Sequence, residues 1–209
     1  MSGKTPNAKA KNREATRKAI LGAAVCLLSS KGPQSLTMEK VAGKAGLAKG
    51  TLYLYFKDKK ALLESMKEEA LRPLREDMAL ILAGGLPPRE KLESLVMRHL
   101  GYFDENRDNL KVILWQRQAV ESFARRQQSD MYRSFVEQVA AVIEEGVRRQ
   151  VFRQLDAAKA AVVFVEADIA IARQRLLEPS AVEPGSDARL LLDIFFDGIM
   201  AKNSGSRRQ

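Results

Sequence analysis

A chain of 209 residues with 45% hydrophobic content can bury one medium core or two small ones. Its single cysteine, Cys26, excludes an internal disulfide and fits a reducing compartment. No apolar run approaches the roughly 20 residues that span a bilayer, and the basic N-terminus lacks the apolar segment of a signal peptide, so a cytoplasmic protein without membrane contact is expected.

Charge is segregated. Residues 1–60 hold 13 Lys/Arg against 3 Asp/Glu, a net of +10, whereas the other 149 hold 22 against 23, a net of −1. Such a field suits a polyanion, because each neutralised phosphate releases condensed counterions. A basic tail kept for solubility accounts for part of it, but the excess continues into patterned sequence. One histidine (His99), one cysteine, no nucleophile elbow, no metal-ligand cluster and no glycine-rich phosphate loop leave no material for a catalytic site. Neither an enzyme, nor a metal, nor a cofactor is expected.

Apolar residues recur at three- and four-residue steps throughout, which predicts an all-α chain. Residues 1–11 read as a flexible basic arm. A first helix follows to about Lys31, with Ile20, Ala23, Ala24, Leu27 and Leu28 on one stripe; Gly32 and Pro33 end it. Thr37 is a good N-cap for a short helix through about Lys44, Gly46 makes a tight turn, and a third helix covers about Ala48–Leu54. Asp58 caps a long fourth helix to Leu82, in which Pro73 predicts a kink or break near Ala70–Pro73. Helices are then expected at 89–105, 108–121 and 124–149, after Asp156 to about Leu177, and at 187–201. The tail from 203 to 209 reads as disordered.

Two short helices joined by a glycine turn after a longer one make a helix-turn-helix plan, placed at 12–58, with 59–202 as a second domain. The second short helix must enter a groove about 12 Å wide, so its first turn needs small or donor side chains, here Ala48, Lys49, Gly50 and Thr51. Gly50 lets a backbone approach bases, Lys49 can reach guanine O6 and N7, and Thr51 offers a hydroxyl or a methyl. Tyr53, Tyr55, Lys57 and Lys59 follow where phosphates would lie. Taken singly, Tyr53 and Tyr55 could equally cover the core.

The run Leu36–Leu63, LTMEKVAGKAGLAKGTLYLYFKDKKALL, resembles the signature of the tetracycline-repressor (TetR) family, and Ile20–Gly32 and the chain length match as well. The resemblance is strong over about residues 12–64 and lies beyond that only in helix layout. It implies a three-helix head and a C-terminal helical domain for ligand binding and dimerisation, about nine helices in all. It implies a homodimer through helices 157–177 and 187–201, a palindromic double-stranded operator, and repression relieved by a small-molecule effector of unknown identity. By that resemblance Lys49, Gly50 and Thr51 face bases, and Thr37, Tyr53, Tyr55, Lys57 and Lys59 hold phosphates. Three positions depart from it: Ala48 where Ser is common, Leu54 where a polar or aromatic residue is frequent, and Lys60 where an acid is common.

Candidate effector residues are His99, Phe103, Trp115, Phe135, Phe164 and Asp168. Each aromatic has ordinary core packing as its rival role. Asp168 sits among apolar helical neighbours, where a carboxylate is costly unless partnered. It serves either an effector or an ion pair with Arg173 or Arg175 across a dimer. A sequence-indifferent DNA binder is the alternative class of function, and footprinting separates the two.

Overall fold

The computed structural model describes residues 6–32, 35–107, 110, 130–178 and 183–199. These residues form eight helices and no strand: α1 (Pro6–Lys31), α2 (Met38–Lys44), α3 (Lys49–Tyr53), α4 (Lys59–Ala83), α5 (Pro88–Glu105), α6 (Asp130–Arg148), α7 (Ala157–Leu177) and α8 (Pro184–Ile199). The helix expected at 108–121 and the start of the one expected at 124 lie outside the described residues, as does the tail. The chain divides into two compact units. One takes the described residues up to Arg72 together with Leu110, and the other takes Pro73–Arg107 and the described residues from Asp130 onward.

In the first unit α1 begins at Pro6, inside the stretch expected as an arm. Proline's fixed φ and missing amide suit a first helical position, and the Ala and Lys residues after it are good helix formers. The expected stripe is inside: Ile20, Ala24 and Leu28 join Leu36, Met38, Val41, Ala42, Leu52 and Phe56 in one cluster. Leu62 and Met66 of α4 complete it, so the unit runs past the expected boundary at residue 58. Gly32 (φ 69°) and Gly46 (φ 68°) adopt the left-handed backbone that ends α1 and α2. Asp58 caps α4 by accepting from the Ala61 amide at 2.7 Å. Helical structure continues through Pro73 with no break. Helix on both sides holds the turn, although Pro73 offers no amide to the carbonyl four residues back.

In the second unit α5 packs against α6, α7 and α8, and α7 packs against α6. Leu92, Leu95, Val96, His99, Leu100 and Phe103 face inward together, as the spacing of α5 predicts. Asp156 is the N-cap of α7, accepting from the Lys159 amide at 3.0 Å. Arg175 of α7 is only 3% exposed, yet every side of its guanidinium meets a carboxylate. Its Nε donates to Asp104 of α5 at 3.2 Å, a second nitrogen donates to the other Asp104 oxygen, and a third reaches Asp187 of α8. The bidentate bond from Arg175 holds the Asp104 carboxyl below its ordinary value of 3.8.

Asp104 therefore stabilises the fold fully above about pH 4, and this contribution is lost as pH falls through its lowered folded value. Arg175→Met should cost roughly 2–3 kcal/mol at pH 7, because two partly buried carboxylates lose their counter-charge. Urea midpoints followed from pH 7 downward check this: the gap between wild type and variant should hold to about pH 4 and then close progressively as the pH falls further below the ordinary carboxylate range.

Candidate nucleic-acid interface

The recognition surface is built by three local events. Thr37, in extended conformation, caps α2 by accepting the Lys40 amide at 3.3 Å. The turn at Gly46 reverses the chain, with the Leu47 amide donating to the Ala42 carbonyl at 2.9 Å. Helix α3 then opens at Ala48, which offers no side-chain cap. Of the five residues of α3 only Leu52 is buried. A helix this short is unstable alone. Leu52 and Phe56 hold it to the core, each fully buried side chain contributing about 1.5–3 kcal/mol, which outweighs the missing cap worth about 1 kcal/mol.

This anchoring leaves the other α3 side chains outward. Lys49 and Gly50 are exposed and Thr51 is half-buried. Gly50 has no positive φ, and a Cβ there meets no described atom within 4 Å, so its own fold does not require glycine. Thr37, Lys57 and Lys59 are exposed, and Tyr53 is exposed as well. Tyr55 is half-buried and packs on the head core. Leu54 is 77% exposed, a large apolar side chain whose only fitting chemistry on DNA is a thymine methyl.

One feature of this surface was not legible in the sequence. Glu39 of α2 forms an ion pair with Lys49 of α3. The shared hydrogen bond draws the Glu39 carboxyl below its ordinary value and lifts the Lys49 ammonium above its own. Lys49 also lies over the Tyr53 ring, 6.0 Å from its centroid. The two residues are ten apart in sequence, and only the turn at Gly46 brings them together.

The tentative effector residues are placed by the second unit. His99 and Asp168 are buried at 7% and 5% exposure, with His99 Nδ1 2.6 Å from Asp168 Oδ2. The Phe103 ring meets the imidazole edge-on at 4.8 Å. Among the described residues Asp168 Oδ1 has no hydrogen-bond partner. Within one chain the partner of Asp168 is thus His99, while Arg173 is exposed and Arg175 is engaged by Asp104 and Asp187. Phe164 tilts against Phe195 of α8 at 4.9 Å, which is core packing, and Phe135 is half-buried. Trp115 lies outside the described residues. Among the described residues no cluster of His, Cys, Asp or Glu could hold a metal ion, and no helix is long and apolar enough to cross a membrane.

Known proteins agree with this layout. Residues 20–66 match the model for bacterial regulatory proteins of the tetR family, and residues 85–173 match a tetracyclin repressor-like C-terminal domain. The transcriptional repressor KstR2 of Rhodococcus jostii is 28% identical over 196 residues, covering 90% of this chain and 93% of that one. The fatty acid metabolism regulator of Bacillus subtilis is 34% identical over 80 residues, and there the match spans only 41% of the relative's length. Among solved structures, a TetR-like regulator from Rhodococcus sp. RHA1 shares 26% identity with a TM-score of 0.65, covering 88% of this chain and 94% of that one. PfmR of Thermus thermophilus has the same identity and TM-score, covering 85% and 97%. The matched families are regulators rather than enzymes. With a helix-turn-helix head and a helical second unit each matched by its own family model, the chain belongs to the TetR family of bacterial regulatory proteins.

Proposed function

We propose that the protein is a cytoplasmic transcriptional repressor that binds a palindromic operator as a homodimer and is released by a small-molecule effector. The observation that carries this reading is the first turn of α3: Lys49 and Gly50 are exposed and Thr51 is half-buried, flanked by Thr37, Tyr53, Tyr55, Lys57 and Lys59. In this reading the first three meet base edges and the others hold phosphates, which fix register without reading sequence. The Rhodococcus jostii relative is a repressor by name, which supports repression as the direction of control.

Dimerisation through α7 and α8 is supported by apolar side chains that one chain leaves uncovered. Val163 and Leu177 of α7 and Leu190 and Ile194 of α8 are all exposed, and the last two, four residues apart, share a face. A two-fold axis through these helices would present two heads to a two-fold operator. The effector region is assigned to His99, Phe103, Trp115, Phe135, Phe164 and Asp168. A buried carboxylate oxygen without a partner is costly, and a ligand donor group would relieve it. Release follows from linkage: an effector shifts the DNA-binding equilibrium by its differential affinity for the two states, and operator weakens effector binding in equal measure.

The reading is tested on a duplex selected from a random pool by the full-length protein. Lys49→Ala should weaken binding about tenfold or more and relax base preference, since a base contact is lost. Lys57→Ala should weaken all duplexes alike and lower the salt slope by about 0.9. A protein that ignores every duplex at low salt sinks the proposal. In a reporter strain screened for an inducer, Asp168→Asn should raise the half-maximal inducer concentration at least about tenfold while repression without inducer persists. An unchanged dose response removes Asp168 from the effector site. Pro73→Ala should shift that dose response more than it shifts operator affinity; equal shifts in both count against a role for this point of α4 in induction.

A further inference from the structure

We propose that Leu54 is a specificity-determining residue that reads thymine by its 5-methyl group, beside the bare backbone that Gly50 leaves on the same face of α3. This rests on the reading that α3 faces the duplex.

Leu54 is more exposed than any other large apolar side chain among the described residues. A single exposed leucine is ordinary on a protein surface, and the rival role is none at all. Its placement sets this one apart. Leu54 follows α3 with φ −70° and ψ −20°, so the helical path continues through it. It lies two residues beyond the buried Leu52, turned about 200° round the helix axis from the side chain that anchors α3 to the core. It stands three residues after Thr51 and four after Gly50, which puts the three on one face. Helical side chains lean toward the N-terminus, so Leu54 leans over the turn that opens at Gly50. Gly50 has no side chain to fill that space, and a Cβ there would meet no described atom within 4 Å. The outward face thus carries an apolar wall beside open backbone, in a segment that also exposes Lys49, Lys57 and Lys59.

The chemistry of the groove selects what such a face fits. Guanine, adenine and cytosine have no methyl in the major groove; thymine alone carries one, at C5. Pressed against a polar base edge or a phosphate, Leu54 strips water from groups it cannot satisfy, which costs binding. Against a thymine methyl both surfaces leave water together, and burying that one methyl is worth about fourfold in affinity. The same side chain therefore rewards thymine and penalises the alternatives. The neighbouring lysines attract any duplex, whereas an uncharged leucine attracts none through its field, so its effect falls on the choice of sequence.

The test uses the full-length protein and the duplex it selects from a random pool. Each thymine in turn is replaced by uracil at symmetric places in both half-sites, which removes the methyl and keeps the hydrogen-bonding groups. At one thymine per half-site the replacement should weaken wild-type binding about fourfold per half-site, about fifteenfold in all. Leu54→Ala should lose about as much on the unmodified duplex, and then less than about twofold more on the uracil duplex, because the partner of the methyl is already gone. The thymine-to-uracil ratio is read on one protein preparation, so any change in the folded fraction cancels from it. A wild type indifferent to uracil at every position overturns the proposal. So does a ratio that Leu54→Ala leaves unchanged: with full affinity it identifies an idle surface side chain, and with equal weakening on both duplexes a contact to the sugar-phosphate backbone. A wild-type protein that selects no duplex overturns the regulator reading itself, and the role of Leu54 with it.

Discussion

A five-residue helix cannot hold its own shape in water, and everything proposed for the head depends on how this one is held. Leu52 and Phe56 insert into a core drawn from α1, α2 and the start of α4, and the Gly46 turn fixes the direction from which they arrive. Because those two side chains consume the inward face, the remaining positions of α3 have nowhere to go but out. The outward set is therefore a by-product of anchoring, and its chemistry is free to vary without cost to the core. That separation explains how Ala48 and Leu54 can depart from the family's signature while the framework of Val41, Ala42, Leu52 and Phe56 stays intact.

The second unit treats its buried polar groups in two ways. Arg175 is inside but completely partnered, tying α5, α7 and α8 by charge-assisted bonds that have fixed geometry. Asp168 is inside and half-partnered: His99 lies against one oxygen, and the other has no hydrogen-bond partner among the described residues. A fold that only needed to tie α5 to α7 would be better served by an apolar pair at these positions. A saturated site and an unsaturated one thus lie about two turns apart on the same helix.

Much of this was written in the sequence, because the signals were local. The caps at Thr37 and Asp58, the glycine ends of α1 and α2, the inward face of α5 and the Asp156 start of α7 each depend on residues within one or two turns. What was hidden depends on distance in the chain. Asp104 and Arg175 are 71 residues apart, His99 and Asp168 lie on different helices, and Glu39 meets Lys49 only through a turn. The start of α1 at Pro6 and the absence of a break in α4 at Pro73 show local rules overruled: in one case strong helix formers follow the proline, in the other a long helix carries it.

Helix α3 also gives up stability that its neighbours retain. It starts on Ala48, which supplies no capping oxygen, and continues with Gly50, which its backbone angles do not demand. Each choice forgoes about 1 kcal/mol relative to an optimised helix. Both deficits fall on the turn proposed to enter the groove, and none on the residues that face the core. Sequence drift toward a sturdier head would thus run through the same two positions that set how closely the backbone can lie against another molecule, so robustness and contact are traded at a single turn.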